Sequence, residues 1–90
     1  MARRDTGTFA FDDTVGGLGG NTAESLFQLG LMHASGRGVT LDYVEAHKWF
    51  NLAALKGHGE AKRYRSDLAG EMSRRDVAIA QARARTWLYG

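Results

Sequence analysis

Between Ala23 and Ala61 the chain twice lays down an apolar stripe at helical spacing, and each time glycine closes it. In the first stripe Ala23, Leu26, Phe27, Gly30 and Leu31 recur at three- and four-residue steps, with Leu29 and Met32 widening the face. In the second, Ala46, Trp49, Phe50 and Ala53 stand at i, i+3, i+4 and i+7. Residues so spaced share one side of a helix, because a helix turns once every 3.6 residues or so. Two such faces joined by a short connection predict antiparallel helices with their apolar sides together.

The punctuation agrees. The chain has no proline, so glycine must mark the helix ends. Gly36 and Gly38 follow the first stripe and Gly57 follows the second. Glycine accepts the left-handed backbone that closes a helix, which a β-carbon resists. The starts are marked by capping-box spacings: Asn21 with Glu24, Asp42 with Glu45, and Ser73 with Asp76. A third helix is expected from about Gly59 to Met72, with Ala61, Tyr64, Leu68 and Met72 as a thinner apolar line. A fourth carries Val77, Ala80, Ala84, Trp87 and Leu88 on one face.

The four helices read as two copies of one unit. A shift of 36 places Glu24 on Glu60 and Ser25 on Ala61, and a shift of 38 places Val39 on Val77, Ala46 on Ala84 and Trp49 on Trp87. A period in the thirties is that of a helix–turn–helix array. The second copy lacks the Leu-Gly pair and the glycine-marked turn, as suits the last unit of a stack. The expected fold is all-α: antiparallel helix hairpins forming a short α/α solenoid of about one and a half to two repeats. It would occupy residues 21–90. Residues 1–20, with five glycines and no sustained period, read as a flexible leader. Within it, Phe9, Ala10 and Phe11 followed by Asp12 and Asp13 could be a short docking motif or could fold back on the domain, with a mobile tail as the simpler reading.

Composition removes several chemistries. Without cysteine there are no disulfides, no thiolate nucleophile and no cysteine-bound zinc. His33, His47 and His58 include no i, i+4 pair and no His-Glu-x-x-His, so no metal or cofactor is expected. No nucleophile elbow occurs, and the GGLGG at residues 16–20 is not followed by the Lys-Ser/Thr of a phosphate loop, so no enzyme is expected. No apolar run approaches the roughly 20 residues of a membrane span. The N-terminal MARRDTGTFAFDD has no apolar region of a signal peptide, which points to the cytoplasm. Net charge is +2 but uneven, −2 over residues 1–55 and +4 over residues 56–90. Arg63, Arg65, Arg74, Arg75, Arg83 and Arg85 suggest nucleic acid as an alternative partner. Against it, Glu60, Asp67, Glu71 and Asp76 are interspersed, as on a solvated helical face.

The order Ala23, Leu29-Gly30, Gly36-x-Gly38-Val39, Asp42, Ala46, Trp49, Ala53-Ala54, Gly57, Ala61 resembles the Sel1-like repeat, a relative of the tetratricopeptide repeat. The resemblance covers about residues 22–61, with residues 62–90 as a degenerate continuation. It implies that Gly30, Ala46, Ala53 and Ala54 let paired helices approach closely, and that Trp49 fills the space between successive pairs. It also implies an adaptor or scaffold role toward a protein partner, often in bacterial signalling, and no catalytic residues. Ser25, Gln28, Met32 and Arg65 are the partner-facing positions that this family geometry suggests. His33 departs from the family's usual aromatic residue there, and one good copy with one poor copy gives little curvature. At the end of the chain, Trp87, Leu88 and Tyr89 either cap the core or remain exposed for self-association.

Overall fold

A computed structural model describes residues 21–90 of the chain. They form α1 (Ala23–Ser35), α2 (Tyr43–Leu55), α3 (Ala61–Ala69) and α4 (Arg74–Tyr89), with no strand among the described residues. The expected leader at residues 1–20 lies outside the described residues.

Asp42 and Ser73 cap their helices as the spacing predicts. The Glu45 amide donates to the Asp42 carboxylate at 3.1 Å and the Asp76 amide to the Ser73 hydroxyl at 3.0 Å. The start of α1 differs by one residue: Thr22, not Asn21, is the cap, and its hydroxyl accepts the Ser25 amide at 3.1 Å. This takes Glu24 out of the box position and frees its carboxylate for other partners. Glu45 does not complete a box either, because the Asp42 amide donates instead to the His33 carbonyl at 2.9 Å. Gly36 closes α1 at φ 74°, sending its amide to the Met32 carbonyl, and Gly57 turns the chain after α2 at φ 94°. α3 is shorter than the expected span to Met72 and ends at Ala69.

α1 and α2 run antiparallel: Phe27 meets Phe50 at 5.6 Å between ring centroids, while near the turn the His33 carbonyl meets the Asp42 amide. Gly30 is what permits the approach. A β-carbon there would overlap the Phe50 ring. The core continues through Leu26, Ala46, Leu52 and Ala53 to Ala61, Leu68 and Ala84. His47 and Leu52, both outside the expected α2 stripe, are 2% and 1% exposed, so α2 is packed on more than one side.

The cause is that α2 is the hub: α1, α3 and α4 all pack on it, and α3 and α4 touch each other little. α4 lies parallel to α2, with Arg83 beside Glu45 and Trp87 beside Trp49. Both pairs join residues 38 apart. The shift that aligns the two units in sequence thus brings equivalent residues into contact, as expected when one unit stacks on the next. The same shift explains the weak α3–α4 seam. Leu68 and Leu88 stand where the first unit has Gly30 and Phe50, so no glycine notch lets those helices interlock.

Candidate partner-binding surfaces

Three grooves above 200 Å³ lie along the described helices. The first, about 420 Å³, lies between α1 and α3. Leu31, Ala34, Phe50, Tyr64 and Leu68 make its apolar floor, and Asp67 and Glu71 sit at its edge. Tyr64 is fixed edge-on against Phe27, at 5.1 Å between centroids, and leans on Phe50. Arg63 lies 3.7 Å from Asp67, one helical turn away, too exposed a pair to count for much.

The second groove, about 450 Å³, runs between α2 and α4 and is lined by Lys48, Ile79, Ala82, Arg83, Thr86 and Trp87. Here Trp49 occupies the space between units: its ring meets Trp87 edge-on at 5.9 Å, and the Lys48 ammonium lies 4.0 Å over it. Glu45 bridges the two helices, 2.9 Å from both Lys48 and Arg83. Burial pushes its carboxyl upward, but hydrogen bonds and charge from Lys48 and then Arg83 prevail and hold it below the ordinary carboxylate value.

The third, about 220 Å³, is on the outer side of α1 and is lined by Thr22, Glu24, Ser25, Gln28, Leu29 and Met32. The Gln28 amide donates to Glu24 at 2.7 Å. That bond, opposed by burial and helped by the His58 contact, lowers the Glu24 pKa.

Three of the four residues singled out from the sequence for partner contact, Ser25, Gln28 and Met32, therefore share one face. Arg65 does not join them; it lies on α3 and donates to Asn51 of α2 at 2.7 Å. Of the motif residues, Gly30, Ala46, Ala53 and Ala61 are buried, Leu29 and Trp49 are half-buried, and Gly36, Gly38 and Gly57 carry positive φ in the turns.

His58 has a role that spacing did not suggest. Its Nδ1 accepts the amides of Glu60 and Ala61, each at 3.2 Å, and so caps α3, where Glu60 supplies no side-chain cap. The hydrogen must then sit on Nε2, which donates to Glu24 at 3.0 Å. The ring also stacks on Phe27 at 4.0 Å. One imidazole thereby ties the α2–α3 turn to α1. The Glu24 contact spans 34 residues, beyond any local pattern. His47 is enclosed in the hub, where burial and then the charge of Arg65 lower its pKa. The Arg65 placement thus matters to the core of the hub. Among the described residues, no three His, Asp or Glu side chains gather in a way that could hold a metal.

Small residues at a helix seam, a glycine-marked turn and the stacking of α4 on α2 through residues 38 apart define an α/α repeat arrangement. Residues 23–58, which span α1, α2 and the turn after them, match the Sel1 repeat family. No curated protein and no solved structure matches the chain. Sel1 repeats generally mediate protein–protein interaction and are in general non-catalytic. No helix among the described residues is long and apolar enough to cross a membrane.

Proposed function

We propose that this chain is a non-catalytic adaptor or scaffold module that holds a protein partner in the groove between α1 and α3, within a cytoplasmic bacterial signalling or regulatory complex. The groove carries the reading. It offers an apolar floor of about five side chains under an acidic edge, which suits an apolar segment with basic flanks. The setting in a bacterial complex rests on the family resemblance alone.

The test is a pull-down from the native host with the full chain and two variants. Leu31→Glu places a charge on the floor of the α1–α3 groove, whereas Ile79→Glu alters the groove on the other side of α2. A protein recovered by the wild type and by Ile79→Glu, but lost with Leu31→Glu at unchanged helicity, supports the proposal. Recovery of nucleic acid alone, falling steeply with salt, would support the Arg-rich helices as the working surface instead.

A further inference from the structure

We infer that the groove between α2 and α4 is the docking site of the chain's own acidic–aromatic segment, residues 5–13 (DTGTFAFDD). This segment carries three aspartates, no lysine or arginine, and two phenylalanines two residues apart. It needs a surface with apolar depth and positive charge. Of the three grooves above 200 Å³ only one provides both; a fourth hollow, at Leu31, Met32 and Arg37, holds only about 80 Å³. The α1–α3 groove has Asp67 and Glu71 at its edge, and the outer face of α1 has Glu24. The α2–α4 groove sets Ile79, Ala82 and Trp87 beside Lys48 and Arg83.

Lys48 and Arg83 share a single carboxylate, Glu45, so this trio retains one positive charge. α4 adds Arg74, Arg75 and Arg85 against one acid, Asp76. Trp87, Leu88 and Tyr89 are 36%, 39% and 84% exposed at the end of the same helix, leaving apolar area for a phenylalanine to cover.

The tether is long enough. Seven residues lie between Asp13 and Asn21 and four of them are glycine, so the eight Cα steps span up to about 26 Å. α1 begins beside the C-terminal end of α2, and the whole of α2 is about 20 Å long. Lys48 is about 10 Å back along α2 from Leu55, and the way around one helix adds about another 10 Å, which the link can span. A tethered segment acts at high effective concentration, so modest contacts suffice to hold it.

The chain has no cysteine, so Thr14→Cys gives the full-length protein a unique attachment point for a nitroxide label. The expected result is paramagnetic broadening of the Ile79, Ala82 and Thr86 amide signals. It should be lost in the Phe9→Ala/Phe11→Ala variant, which leaves residues 21–90 untouched. It should also weaken at about 1 M salt, where screening acts within about 3 Å. Absent broadening, or broadening centred on Tyr64 and Leu68, overturns the inference. So does broadening seen only when labelled and unlabelled copies are mixed, which would assign the groove to a second copy. None of these outcomes alters the Leu31→Glu result, so the two proposals stand or fall separately.

Discussion

In the first hairpin a glycine lies opposite a phenylalanine; in the second, two leucines hold the equivalent positions. Leu26, Phe50 and Leu52 in the first are no more than 1% exposed. The buried positions of α4 are two alanines, Ala80 and Ala84. The helical spacing is alike in both units, yet only the first closes tightly on itself. The second is attached through α2. Helical repeat proteins draw stability from nearest neighbours as well as from within each unit. Here the neighbour term dominates for α3 and α4. Damage to α2 should therefore spread through the molecule, while damage to α4 should stay local.

The harshest test is Phe50→Ala. Removing a fully buried aromatic ring costs about 4 kcal/mol, close to the whole stability of a domain this small, about 5 kcal/mol. Urea denaturation followed by circular dichroism should show both hairpins lost together. Survival of α1 and α2 alone would break the idea of a shared hub. Gly30→Leu comes next. Its side chain has no room beside the Phe50 ring, and overpacking of this kind costs roughly 1–3 kcal/mol. An unchanged melting temperature would mean that the seam is looser than the structure shows.

Removing the caps separates the hairpins more gently. Asp42→Ala and Ser73→Ala should each cost about 1 kcal/mol. Hydrogen exchange should rise across α1 and α2 in the first case and only in the opening turn of α4 in the second. Equal, global effects would argue that α4 is as well integrated as α2.

Acid supplies the mildest probe, and its sign is fixed by the direction of the shifts. His47 has a pKa lowered below its ordinary 6.5. As pH falls through 6.5 the unfolded chain takes up a proton that the folded protein resists, so stability declines. Glu24 and Glu45 are lowered from 4.5, so their contributions are present above that value and are lost below it. Thermal melts should show a first decline below about pH 6.5, removed by His47→Leu, and a second below about pH 4.5. The Glu45→Gln variant should flatten the second and release Arg83, and with it α4. An acid profile indifferent to His47→Leu would show that the hub does not resist protonation.

Much of the fold was legible because its signals are local. Helical spacing places Leu26, Phe27, Phe50 and Ala53 on inward faces, and Gly36 and Gly57 mark ends that the backbone must turn. The Asp42 and Ser73 caps act over three residues, within reach of a spacing argument. The surfaces were less legible. Ser25, Gln28 and Met32 share a face because they lie on one helix, whereas Arg65 lies on α3 and belongs to a contact with Asn51. His58 has no local signature, since its partners lie on different elements.

By itself the sequence determined that this chain forms four helices in two units, and that one unit is a Sel1-like repeat. Helix periodicity, glycine turns and caps are properties of neighbouring residues, and they require no knowledge of the rest of the chain. Only the tertiary structure decided that α2 is the hub, that α3 and α4 scarcely meet, and which grooves carry which charge. Those outcomes depend on side-chain volumes meeting across 20 to 40 residues, as with Glu24 and His58 at 34 or Glu45 and Arg83 at 38. Packing of that kind is settled by three-dimensional fit, which no short window of sequence contains.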